Sequence, residues 1–229
     1  MIKSNKKIKA ILLSAGFGKR LRPLTLNTPK CLVSINGEPL LFNWLRKLEK
    51  IGCEEVLINT HYLCEKVEEA LNSWDQSKLK IKTIYEKKLL GTAGTLRENI
   101  NFFKNCKCLL IHTDNFTLMN MEEFLDSFNS IKKDCLLSMV TFSSNNPEEC
   151  GIVETDENGI LINYHEKISN PPSNLANGAI FLFDENFLKF FSTLPSDCND
   201  FCADIIPRLK GRIQTYFTNC LFIDIGKAS

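Results

Sequence analysis

The chain contains no apolar run close to the ~18 residues that a bilayer-spanning helix needs. Its start, Met1-Ile-Lys-Ser-Asn-Lys-Lys, lacks the long apolar core of a secretory signal. These absences predict a cytoplasmic protein with no membrane partner. A charge excess is missing too: 28 Lys and Arg face 27 Asp and Glu, leaving a net +1. General nucleic-acid binders carry a basic surplus, so no nucleic-acid partner is expected. The small cluster Lys3, Lys6, Lys7 and Lys9 reads as a solvated tail. Cys106-x-Cys108 is too closely spaced for a common zinc knuckle, and no second CxxC-type pair completes a site. The ten cysteines therefore read as reduced thiols, with Cys31, Cys108, Cys135 and Cys220 as small hydrophobes inside apolar segments.

Across the 229 residues, 44% are hydrophobic and 24% charged, ordinary values for a globular chain. Apolar runs alternate with helical patterns, which marks an α/β sheet. Strands are predicted over 8–13, 55–59, 79–84, 108–112 and 136–142. Helices are predicted from Leu40 to Ile51, stopped by Gly52, around Leu63–Leu71, from the Leu90-Gly-Thr-Ala-Gly94 loop onward, and over 121–131. Beyond about residue 145 the style changes. Runs at 150–155 and 160–165 flank Asp156-Glu-Asn-Gly159, a good hairpin turn. A strand over 176–183, a short helix over 185–191, a helix over 200–209 with Pro207 awkward near its end, and strands over 213–217 and 221–225 follow. Repeats, low-complexity segments and linkers are absent. The expectation is one domain, 1–229, with a mixed, mostly parallel sheet. Its nucleotide-binding half covers about 8–115 and its second-substrate half about 116–226.

The most informative stretch is Leu13-Ser-Ala-Gly-Phe-Gly-Lys-Arg-Leu-Arg-Pro-Leu-Thr25 with Pro29-Lys30 behind it. Two glycines let the backbone approach an anion and aim N–H groups at it. Arg20, Arg22 and Lys30 can neutralise what those amides cradle. Spacing separates the kinds of phosphate loop. A Walker loop needs GxxxxGK[ST], but Gly18-Lys19 is followed by Arg20, which places no hydroxyl for magnesium. The dinucleotide fingerprint needs a third glycine where Leu21 stands. The longer string GxGxRLxPLTxxxPK is filled throughout, at Gly16, Gly18, Arg20, Leu21, Pro23, Leu24, Thr25, Pro29 and Lys30. In this the chain resembles the sugar-1-phosphate nucleotidylyltransferases, especially short bacterial enzymes of the mannose-1-phosphate guanylyltransferase type, from Lys9 to about Gly226. The resemblance implies a Rossmann-like three-layer sandwich of the nucleotide-diphospho-sugar transferase type. It also implies transfer of a nucleoside monophosphate from an NTP to a sugar 1-phosphate, releasing pyrophosphate, for cell-surface glycan biosynthesis.

The resemblance assigns roles residue by residue. Arg20 would grip the triphosphate and Lys30 approach the α-phosphate, while Leu13, Ala15, Gly16, Gly18 and Lys19 line the nucleotide. Asp114 directly follows an apolar strand, where open α/β sheets bind ligands. Position alone leaves it between capping a helix that begins near Met119 and holding Mg²⁺; the resemblance implies the metal. Asp224, an acid inside Phe222-Ile-Asp-Ile-Gly226, matches the second metal ligand. An unpaired buried carboxylate is costly, so it would need a cation or donors. Glu166-Lys167 could be an exposed charge pair; the resemblance gives the lysine to the sugar phosphate and the glutamate to a sugar hydroxyl, although Ile168 stands where the family has proline. Gly151 and Asn177 match sugar-pocket positions, and Asn115 supports that site. His112 reads as a packed strand residue.

Gly91, Thr92 and Ala93 form the base-side loop, with Thr92 or Thr95 as a helix cap. Glu86 lies where thymidylyl- and uridylyl-transferring relatives often carry glutamine. A carboxylate suits the two adjacent donors of guanine, which favours GTP. UTP, CTP or dTTP use stays an alternative, as does a nucleotide-sugar-sensing module without turnover. An NAD(P)-dependent oxidoreductase is weakened by the missing glycine and by the absence of an acid in Asn59-Thr-His-Tyr62. Self-association is left open. Past Gly226 the family continues with Thr-Pro and a helix, where this chain has Lys227-Ala-Ser229, as a truncated piece of a longer protein would.

Overall fold

Side chains of β1 (Lys7–Leu13) alternate between two cores: Ala10 and Leu12 enter one, Ile11 the other. Burial on both faces explains why the run is continuously apolar. The computed structural model describes residues 6–74 and 78–225; Lys3, Gly226 and residues 227–229 lie outside them. Next come β2 (Ser34–Ile35), β3 (Glu38–Pro39) and α1 (Leu40–Lys50), then β4 (Glu55–Thr60), α2 (Cys64–Asn72) and β5 (Lys80–Tyr85). They are followed by α3 (Thr92–Glu98), β6 (Cys106–His112), β7 (Asn115–Thr117), α4 (Met121–Ser127) and β8 (Leu137–Ser143). The last part holds β9 (Gly151–Thr155), β10 (Leu161–Glu166), β11 (Leu175–Phe183), α5 (Glu185–Phe191), β12 (Ile213–Phe217) and β13 (Phe222–Asp224).

The main sheet runs β12-β8-β11-β6-β1-β4-β5, and the hairpin β9–β10 joins it at Ala176 of β11. Along that run β11 alone is reversed: every other neighbouring pair is parallel. Helices α1, α2 and α4 pack on one face, where Trp44, Val67 and Phe124 meet Leu109 and Ile180. On the other face α3, α5 and the segment 201–209 bring Leu96, Phe187 and Phe201 onto Leu110 and Phe181. This is the three-layer α/β architecture expected. Strand order turns between β1 and β6, so the loops after these strands diverge and leave a crevice at their carboxyl ends.

Several local expectations are corrected. Residues 200–209 form a π-type turn, Phe201–Ile205, and a 3-10 turn, Ile206–Leu209, because Pro207 has no N–H for a regular helix. The helix from Met121 stops at Ser127 and tightens into a 3-10 turn over Phe128–Ser130. β13 does not join the main sheet but pairs with β7. Its Asp224 is not buried; the side chain is 54% exposed. Cys220, in the turn before β13, is exposed, whereas Cys31, Cys108 and Cys135 are buried as expected, and no cysteine is in a disulfide. Among the described residues no helix is long and apolar enough to cross a membrane.

Candidate active site

The loop after β1 is stapled from inside. Gly18 has φ +62°, and a Cβ there would come within 2.9 Å of Thr25 Cγ2. Only glycine combines that conformation with that contact at low cost. The Thr25 hydroxyl donates to the Gly18 carbonyl at 2.6 Å, and Leu21 is buried beneath the turn. Lys19 and Arg20 ride on this short 3-10 turn, exposed, with the Lys19 ammonium 5.4 Å from the centre of the Phe17 ring.

A buried network braces the base side. The Ser14 N–H donates to Asn59 Oδ1 at 2.7 Å. The Asn59 amide and the Thr95 hydroxyl both donate to Glu86 Oε1, at 2.9 and 2.6 Å, and the Leu90 N–H donates to Oε2 at 3.1 Å. A carboxylate with 5% of its surface exposed is tolerable because its oxygens are satisfied. The loop itself is clamped by residues 199–201. Ala93 N–H donates to the Asn199 carbonyl at 2.8 Å, and Phe201 N–H to the Thr92 hydroxyl at 2.7 Å. Gly91, at φ +79°, lies so close to the Asn199 carbonyl that a side chain would collide with it. The N-cap of α3 is Gly91 without a side-chain cap bond, so neither Thr92 nor Thr95 caps that helix.

The charged centre lies where β6 ends. Lys30 Nζ donates to Asp114 Oδ2 and stands 3.8 Å from Asp224 Oδ1, so two carboxylates far apart in sequence converge on one ammonium. The β7–β13 pair brings them together: Asp224 lies opposite Asn115, and Ile225 N–H donates to the Asp114 carbonyl at 2.9 Å. The N-cap of α4 is Asn120, which accepts from Glu122 N–H, so Asp114 is not a cap. Burial pushes the Asp114 carboxyl up, but Lys30 and His112 outweigh it and hold it below its ordinary value. Burial holds His112 below its ordinary value, and its Nε2 is buried without a hydrogen-bond partner. Leu13, Ala15, Gly16, Lys30, Glu86, Gly91, Thr92, His112 and Asp114 all line one cleft of about 230 Å³. Of the other expected nucleotide residues, Gly18, Lys19 and Arg20 stand on the same loop outside this lining. Ala93 is fully buried behind it.

The expected sugar-side residues form a second group. Glu166 ends β10 opposite Gly151, and the Lys167 ammonium meets Glu166 Oε1 at 3.1 Å. Lys167 adopts φ +51°, a left-handed conformation that non-glycine residues hold only when their surroundings impose it. Asn177 accepts from Ala179 N–H at 2.9 Å, just where β11 bulges. Asn115 is buried and donates to the Gly178 carbonyl at 3.0 Å, holding β7 against β11.

A carbonyl-end cleft with a glycine loop, a lysine between two carboxylates and a separate Glu-Lys pair suits an anionic, phosphorylated ligand. The family model for nucleotidyl transferases matches residues 9–229. The chain belongs to the nucleotidyl transferase family. Within this family it is 28% identical over 225 residues to the mannose-1-phosphate guanylyltransferase catalytic subunit beta of Drosophila melanogaster, matching over 96% of this chain. The chain spans 59% of that enzyme's length. It is also 28% identical over 220 residues to the D-glycero-alpha-D-manno-heptose 1-phosphate guanylyltransferase of Campylobacter jejuni, with 96% of this chain and 95% of that one covered. A Bacillus anthracis structure described as a glucose-1-phosphate thymidylyltransferase superposes with a TM-score of 0.85, covering 96% of this chain and 90% of its own, at 22% identity. At that identity the superposition speaks for the fold alone.

What the sequence did not single out are the partners behind the expected residues. Asn59 and Thr95 carry Glu86, Asn199 and Phe201 clamp the base-side loop, and Tyr164 stands among the sugar-side groups. Asn59 could have been found, since it stands one residue before the end of β4, the strand next to β1.

Proposed function

We propose that this nucleotidyl transferase moves a nucleoside monophosphate from an NTP to a sugar 1-phosphate, giving an NDP-sugar and pyrophosphate. The observation that carries the proposal is the convergence of Asp114, Asp224 and Lys30 beside the glycine loop. An oxygen of the sugar phosphate attacks the α-phosphorus in line, the bond to the pyrophosphate oxygen breaks, and no covalent enzyme intermediate forms. The loop amides, Arg20 and Lys30 bind and orient the triphosphate, and Lys30 neutralises charge that develops on the α-phosphate oxygens. Lys167 holds the sugar phosphate and Glu166 a sugar hydroxyl.

The donor set around Lys30 fits Mg²⁺. Two carboxylates are the hard oxygen donors that this ion takes, and their convergence beside the Lys30 ammonium supports a cation there. Asp114 and Asp224 would hold the ion. When bound, it would neutralise phosphate charge that lysine and arginine do not reach.

The preferred nucleotide is GTP. Two of the relatives above are named as guanylyltransferases. Glu86 lines the cleft, and its Oε2 accepts from the Leu90 N–H, which leaves this oxygen a lone pair to accept from a guanine donor. The site belongs to a cytoplasmic enzyme of nucleotide-sugar synthesis. The test is a matrix of GTP, UTP, CTP, dTTP and ATP against mannose, heptose, glucose and glucosamine 1-phosphates, read by mass spectrometry. An NDP-sugar formed fastest with GTP is expected. No product from any pair sinks the reaction, and a faster product with another base sinks the nucleotide.

A further inference from the structure

Gly151, Glu166 and Asn177 meet at one side chain, Tyr164. Residues 164 and 166 lie two apart on β10, so their side chains leave the same face of the strand. The Tyr164 hydroxyl donates to Glu166 Oε2 at 2.5 Å and takes a long contact from the Asn177 amide at 3.5 Å. That amide also lies 3.4 Å from the Cys202 thiol. The phenol occupies the space that a Cβ on residue 151 would need, so position 151 is glycine because Tyr164 is there. Its ring packs against the core layer that contains Leu161 and Phe181.

A phenol has one proton to donate, and this one goes to Glu166. Oε2 is thereby fixed, and Oε1 is turned to the Lys167 ammonium. Glutamate is a three-torsion side chain, and a carboxylate tethered before the ligand arrives loses less freedom on binding. We propose that Tyr164 is the positioning residue of the sugar-phosphate site: its hydroxyl holds Glu166 so that Oε1 and Lys167 stand as a paired acceptor and cation for a sugar hydroxyl and its phosphate. This rests on the transferase reading above.

The test uses the full chain with GTP and, in turn, mannose, glucose, glucosamine and heptose 1-phosphates. Tyr164→Phe keeps the ring and removes only the hydroxyl. With the wild-type substrate pair, KM for the sugar 1-phosphate should rise about tenfold, the loss of one hydrogen bond to a charged group. KM for GTP should stay within about twofold, and thermal unfolding should be nearly unchanged. In the double variant with Glu166→Gln, the sugar KM should be no worse than with Glu166→Gln alone, because one acts through the other. An unchanged sugar KM, an equal rise for both substrates, or additive effects in the double variant would each overturn the role of Tyr164 while the transferase reading stands. A wild-type protein that turns over no pair with GTP, UTP, CTP, dTTP or ATP overturns that reading and this inference together.

Discussion

Glu86 accepts hydrogen bonds from β4, from α3 and from the loop between β5 and α3, and is almost wholly enclosed. Glu166 accepts from Tyr164 on its own strand, touches Lys167, and leaves 32% of its side chain open. The two carboxylates belong to the two halves of the candidate site, yet they are built for different work. The first is mainly a brace: the scaffold supplies its donors, and removing it takes the acceptor from the Leu90 N–H and leaves Asn59 and Thr95 only their contacts with each other and with the Gly91 carbonyl. The second keeps acceptor capacity for something from outside. The proposed base side is thus rigid by construction, and the proposed sugar side is where a ligand's own groups would complete the bonding.

Asp114 stands between the two sides, and its loss should have the largest effect. Asp114→Asn should lower turnover by about 10²–10³-fold with the fold retained. Near-wild-type rates in a pyrophosphate-release assay would remove it from the chemistry. The contrast between the carboxylates is next. Glu86→Ala should cost roughly 2–4 kcal/mol in urea unfolding, since buried donors lose their acceptor, and Glu166→Ala under about 1 kcal/mol. Equal costs would break the comparison. On the sugar side, Lys167→Ala should raise KM for the sugar phosphate roughly tenfold and leave that for the nucleotide alone. Equal rises would move the lysine out of that site. The smallest effect concerns acid. The Asp114 carboxyl is depressed in the folded state, so its contribution is present above the ordinary carboxylate range and fades as pH falls through the lower folded value. Below about pH 4, Asp114→Asn should therefore lose stability less steeply than wild type; parallel curves of urea midpoint against pH would contradict this.

How much was legible follows the same divide. The glycine loop, Lys30 and Asp114 could be read because strand ends in a parallel sheet are where function collects, and their spacing is local. β2, β3, β7 and β13 are two or three residues long and have no usable period. Phe222-Ile-Asp looked like another sheet strand. Only the backbone shows that it pairs with β7 and delivers Asp224 to Lys30. The clamp of Asn199 on Gly91 and the contact of Tyr164 with Gly151 join positions distant in sequence, and no local pattern announces either. The glycines were visible as glycines; what made them necessary was not.

The reversed strand β11 has a consequence for how such a protein can change. Strands β1, β4 and β6 reach the cleft at their finishes, whereas β11, antiparallel to β6, begins at that end of the sheet with Leu175 before descending beside β6. The connection that enters β11, residues 167–174, starts at Lys167 directly after Glu166 and feeds none of β1, β4 and β6. On the proposed reading, lengthening or rewriting it would alter one substrate's surroundings while the other's stay constant. A run of parallel strands with one turned around is, in effect, a fixed socket with an exchangeable bit.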